Sequence, residues 1–168
     1  FRNLREDKAY TYGAYSSFGT SRYTTVIEAS AEVRNAVTDS AVEQFLFEIN
    51  RIRTESVTDE ELRSAKNNLA GGFGRSLERP ETVASMAGNT LLYNLPADYY
   101  NGYLTRLEAV TAQDVQRVAQ KYLDPSKVTI LLVGKWDEIA KGDQGGRATM
   151  AMLEKDLGPV KHLPLRDP

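Results

Sequence analysis

The chain has 168 residues, no cysteine, one histidine, and 21 basic against 23 acidic side chains, for a formal net charge of −2. A length near 150 residues buries about 70% of the unfolded surface in one core, and 41% hydrophobic with 26% charged residues is a globular balance. Near-neutral charge without a basic cluster argues against a phosphate-tracking nucleic-acid surface; the lack of Cys excludes disulfides and thiolate chemistry; and no apolar run exceeds four residues, where a membrane helix needs about 20.

The chain opens on Phe1 to Asp7, a charged segment with helical spacing of Phe1 and Leu4 and no capping residue before it, so upstream sequence is expected. It carries no apolar signal core. Ala9 to Phe18 then alternates, with Tyr10, Tyr12, Ala14, Ser16 and Phe18 on one predicted face. After Gly19-Thr20-Ser21, the run Arg22 to Arg34 alternates again through Tyr23, Thr25, Ile27, Ala29, Ala31 and Val33. Period-two alternation about a Gly-containing turn predicts an antiparallel hairpin with one solvated face.

The spacing then turns helical. Val42, Phe45, Ile49 and Ile52 predict a helix to about Thr54, and Thr58-Asp59-Glu60-Glu61 reads as a capping box opening a second through Leu62, Ala65 and Leu69. Gly71, Gly72 and Gly74 fall where that helix should continue and do not follow a strand, so they read as a close helix contact or a flexible point, not a phosphate loop. Pro80 suits the first turn of a third helix, Leu95-Pro96 precedes a fourth through Tyr100, Tyr103, Leu104 and Leu107, and Thr111 caps a fifth through Val115, Val118 and Tyr122. Lys127 to Gly134 reads as a central strand covered on both faces. A flexible loop at 142–146, a short helix at Ala148 to Leu157 and a proline-rich tail at 158–168 complete one domain over residues 1–168. Strands first and helices after predict an α+β, two-layer architecture, a mostly antiparallel sheet with helices packed on one face.

His162 lies in that tail, Gly-Pro-Val-Lys-His-Leu-Pro. With no Cys and no second His, a zinc site would need three carboxylates or a partner chain, and no G-x-S-x-G elbow is present, so His162 reads as an ordinary tail residue. Glu60 and Glu61 read as helix-start residues and not as an acid/base pair.

Several phrases together resemble a known domain. Leu4-Arg5-Glu6 with Tyr10-Thr11-Tyr12-Gly13-Ala14-Tyr15-Ser16, then Val57-Thr58-Asp59-Glu60-Glu61-Leu62, Leu95-Pro96 with Tyr99-Tyr100, Val110-Thr111-Ala112-Gln113-Asp114-Val115, and Val133-Gly134 are similar in order and spacing to the C-terminal, non-zinc domain of the insulinase/pitrilysin metallopeptidases, which include processing-peptidase subunits and bacterial two-chain members. The resemblance covers residues 1 to about 140 and implies the metallopeptidase (LuxS/processing-peptidase-like) fold, here without its first strand and the start of its first helix.

It also implies a function that the residues alone leave open. Such a domain holds no metal; zinc is expected in a catalytic domain in cis or a partner subunit in trans, so this chain is not catalytic alone but part of a zinc metalloendopeptidase, closing a peptide chamber. The resemblance assigns substrate binding to Arg5 and Tyr12, an Arg and a Tyr seven residues apart. A Tyr hydroxyl can donate to a carbonyl oxygen that gains charge during amide hydrolysis, and guanidinium offers several fixed donors to backbone carbonyls. The competing reading pairs Arg5 with Glu6 or Asp7 and packs Tyr12 among the aromatics. Alternatives from other classes are a purely structural assembly subunit and a stand-alone peptide-binding module. The family's spread points toward a bacterial periplasm or cell envelope.

Overall fold

The alternating segments pair as their pattern predicts. In the computed structural model, which describes residues 1–143 and 145–163, β1 (Thr11–Thr20) and β2 (Thr25–Val33) form an antiparallel hairpin, with Phe18 opposite Ile27 and Ser16 opposite Ala29. The Ser21 amide and hydroxyl both donate to the Thr24 carbonyl, closing the turn. Helices follow in chain order: α1 (Thr38–Thr54), α2 (Asp59–Ser76), α3 (Pro80–Leu92), α4 (Tyr103–Glu108), α5 (Ala112–Tyr122), α6 (Trp136–Ile139) and α7 (Met150–Leu157). The class is α+β with an antiparallel sheet, as expected. Gln144 in loop 142–146 and the tail beyond Leu163 lie outside the described residues.

The chain divides into two compact units, one made of Phe1–Asn50 with the segment from Asp124 onward, the other of Arg51–Leu123. In the second unit, local chemistry sets the helix ends. The Thr58 hydroxyl accepts from the Glu61 amide at 3.2 Å while the Thr58 amide donates to the Glu61 carboxylate at 2.9 Å. Thr111 and Asp114 repeat this reciprocal pair at 3.1 Å each way, so two orphan amides are satisfied at each start. α3 begins on Pro80 and ends with Asn94 at φ +51°, the Leu95 amide reaching back to the Thr90 carbonyl. That left-handed cap suits Asn and stops the helix before Pro96. α2 runs unbroken through Gly71, Gly72 and Gly74. A Cβ at Gly72 or Gly74 would meet no neighbour within 4 Å, so no close helix contact requires glycine there; the α2 ring contact is Phe73 on Tyr103, at 4.5 Å.

In the first unit a small apolar core gathers Leu4, Tyr10, Val37 and Ala41, with Ala14, Ala31, Val33 and Phe45 packed against it. It covers only the base of the hairpin. Phe18 and Ile27, which continue the same face toward the turn, are 66% and 46% exposed, so the expected single solvated face becomes two over the outer half.

Residues 127–134 overturn a second expectation. A 3₁₀ turn at Pro125–Lys127 leads into a segment without regular secondary structure that pairs with no strand among the described residues, and Leu131 and Val133 are 75% and 83% exposed. Apolar continuity reports burial preference but does not supply a ladder partner. The segment ends at Gly134, where a Cβ would come within 3.0 Å of the Asn35 amide oxygen and 2.9 Å of Ile139. Close approach, not turn geometry, therefore explains that glycine.

Candidate functional site

Arg5 and Tyr12 lie in the segment Arg2–Gly13, whose backbone departs from regular structure three times. Arg2–Asp7 form one π-helical turn, with Lys8 N–H bonded to the Asn3 carbonyl at 3.0 Å. Ala9 follows at φ +52°, a left-handed conformation that a side chain rarely adopts. β1 then carries a bulge: Thr11 faces Val33 and Ala14 faces Ala31, so Tyr12 and Gly13 together oppose Glu32 alone. The Thr11 hydroxyl fixes the bulge by donating to the Gly13 carbonyl at 2.8 Å and accepting from the Gly13 amide at 3.1 Å. π-turns, bulges and strained residues each gather at functional sites, because regular structure would satisfy the backbone more cheaply.

The bulge decides where Tyr12 goes. Strict alternation would place Tyr12 on the face of Tyr10 and Ala14, toward the core. Instead Tyr10 is buried and Tyr12 is 95% exposed. Packing among aromatics, the competing reading for Tyr12, does not occur. Arg5 is also exposed, its guanidinium 4.9 Å from the Phe1 ring centroid, and among the described residues it forms no ion pair with Glu6 or Asp7. No hydrogen bond or ring contact joins Arg5 to Tyr12 among the described residues. Both side chains are exposed on one short segment, Tyr12 almost fully and Arg5 with its guanidinium against the Phe1 ring.

Beneath that segment lies a polar cluster that the sequence did not reveal. Asp39 and Ser40, in the first turn of α1, are each only 1% exposed. The Asp39 carboxylate accepts from its neighbour's amide, Ser40 N–H, at 2.9 Å and from the Asp143 amide, 104 residues away, also at 2.9 Å. The Ser40 hydroxyl donates to the Asp143 carboxylate. Arg147 grips both oxygens of that carboxylate, through Nε at 2.7 Å and an η-nitrogen at 2.9 Å, and lays its guanidinium 5.2 Å from the Tyr10 ring centroid. The hydrogen bonds from Arg147 hold the Asp143 carboxyl well below the usual carboxylate range despite burial, with Ser40 and the Gly145 amide adding to them. The same pairing raises Arg147. Gly142 enters this loop at φ +78°, with the Asp39 carboxylate 3.4 Å from where a Cβ would stand.

Residues that could hold a metal are not brought together: no group of three His, Cys, Asp or Glu side chains converges among the described residues. His162 sits edge-on against Trp136, ring centroids 4.7 Å apart. Among the described residues, therefore, no set of ligands for a zinc ion is assembled. No described helix is long and apolar enough to cross a membrane.

The comparisons with known proteins converge on one class. Residues 1–69, which contain the irregular segment, the hairpin and the start of α2, match the family model described as the peptidase M16 inactive domain. The fold is similar to the crystal structure of a peptidase M16 inactive domain from Pseudomonas fluorescens, with a TM-score of 0.68 at 23% identity over 75% of this chain. That match covers 30% of the length of the Pseudomonas fluorescens chain. No curated protein matches this sequence. The chain thus has the fold of the peptidase M16 inactive domain, a metallopeptidase-family module of the insulinase type, and its first 69 residues carry that family's sequence pattern.

Proposed function

We propose that this chain is the non-metal wall of a zinc metalloendopeptidase, closing a peptide chamber whose zinc belongs to another domain or subunit. Tyr12 carries the reading: a bulge turns it out of the core and leaves it 95% exposed, within the segment 1–69 that matches the inactive-domain pattern. An exposed phenol next to Gly13 can approach a peptide carbonyl and donate to the oxygen as negative charge develops. Arg5, free of internal ion pairs among the described residues, can hold further backbone carbonyls through its forked donors. Hydrolysis itself is assigned to the zinc-bearing partner.

The test is turnover of a quenched-fluorescence peptide library by the zinc-bearing assembly containing this chain. Tyr12→Phe removes one donor from the developing oxyanion, and a loss of roughly 10²-fold in kcat is expected. Arg5→Ala should act mainly on KM, since its contacts are made equally in ground and transition states. Wild-type turnover in both variants would remove the pair from the mechanism and favour a structural assembly subunit.

A further inference from the structure

The buried cluster at the start of α1 is larger than loop anchoring needs. Asp143 alone already takes hydrogen bonds from Ser40 and from the Gly145 amide, and Asp39 fixes the Asp143 backbone. Arg147 adds something different: having paired both carboxylate oxygens, its guanidinium plane is left over the face of Tyr10. Tyr10 directly follows the left-handed Ala9 and, with Thr11, leads into the bulge at Tyr12 and Gly13. Its amide is tied to the Leu4 carbonyl at 2.9 Å, so Tyr10 is also joined to the turn that carries Arg5.

We propose that Arg147, oriented by Asp143, is a positioning residue for the bulge: by clamping the ring of Tyr10 it fixes the strained Ala9–Gly13 backbone that presents Tyr12. The inference rests on the reading of Tyr12 as a substrate contact. The physical logic is that a left-handed alanine and a bulge each cost free energy and persist only when their surroundings over-determine them. Tyr10 packs in the apolar core with Leu4, Val37 and Ala41. The Arg147 cation lies against its electron-rich ring face, and a bidentate partner keeps the guanidinium plane from turning away. Two elements distant in sequence thereby meet at the one residue from which the irregular segment departs.

Amide hydrogen exchange in the full chain tests this separately from activity. In Arg147→Ala, the Tyr10 and Gly13 amides should exchange about tenfold faster while the Ser21 turn amide keeps its wild-type rate, the mark of local opening. Arg147→Lys, which keeps the charge but loses the planar fork, should shift the same two amides by less. Tyr10→Phe should behave as wild type, because the clamp needs the ring and not the hydroxyl, whereas Tyr10→Leu should reproduce Arg147→Ala. Wild-type exchange at Tyr10 and Gly13 in Arg147→Ala overturns the proposal. So does acceleration spread evenly to Ser21, which would mark a general loss of stability. If Arg147→Ala does not fold, Arg147→Lys decides by the same two amides. Local acceleration with undiminished peptide turnover would uphold the clamp and count against Tyr12 as a substrate contact.

Discussion

The two compact units keep their order by different means. In Arg51–Leu123 the helix starts at Thr58 and Thr111 and the α3 end at Asn94 are settled by partners within five residues, and Ala119 is the buried apolar residue. In the other unit the decisive bonds join residues more than 100 positions apart, Ser40 with Asp143 and Asn35 with Glu138, the latter at 2.8 Å. Locally capped helices can tolerate change one end at a time. A strained segment held by distant partners cannot, because each partner supports a backbone that would otherwise relax. The irregular segment belongs to the second kind, and that is where the candidate site lies.

Substitutions can break this contrast, and the largest effect is expected at Asp143. Asp143→Ala strands the Ser40 hydroxyl and releases Arg147, which should destabilise the first unit by about 2–4 kcal/mol. The single Trp, Trp136 in α6, lies in that unit, so its fluorescence in a urea titration reads the loss directly. An unchanged midpoint would mean that the cluster is ornamental to the fold. In the second unit Thr111→Ala should cost about 1 kcal/mol, the usual worth of an N-cap, visible as an earlier helical transition by circular dichroism.

That cap also carries a pH signature. Hydrogen bonds from Thr111, then from Arg117, lower the Asp114 carboxyl from 3.8 to about 2. A carboxylate depressed in the folded state contributes its stability above the unfolded value and loses it as pH falls through the folded one. The gap between wild type and Thr111→Ala should therefore be full above pH 4 and shrink between pH 4 and pH 2. A gap that stays constant over that window would show that the Asp114 side of the box contributes nothing.

The smallest effect is expected at Ala9. At φ +52° a glycine escapes the Cβ clash, so Ala9→Gly should stabilise by about 0.5–1 kcal/mol after the added freedom of the unfolded chain is subtracted. Destabilisation instead would show that the Ala9 methyl is itself part of the packing that holds Tyr10.

The same division explains what could be read from residues alone. Thr58, Thr111 and Pro80 announce their helices because a cap needs only neighbours a few positions away, and the hairpin announces itself because Tyr23 to Val33 alternates. The resemblance singled out Arg5 and Tyr12 as candidates, while the bulge between Thr11 and Ala14 was hidden: one extra residue leaves the alternation looking regular and reverses the side of Tyr12. Asp39, Asp143 and Arg147 gave no signal, since nothing near Asp143 hints at a partner 104 residues away. Residues 127–134 misled for the opposite reason, their apolar run being strong locally while the strand it predicts depends on a distant partner.

The central claim is that the bulge exists to present the Tyr12 hydroxyl to a peptide, and kcat of the zinc-bearing assembly carrying Tyr12→Phe tests it most directly. A fall of roughly 10²-fold with KM little changed is the predicted result, the loss of one donor that acts as charge develops. A wild-type kcat with Tyr10 and Gly13 exchange undisturbed would contradict it, since the segment would then be intact and the hydroxyl idle.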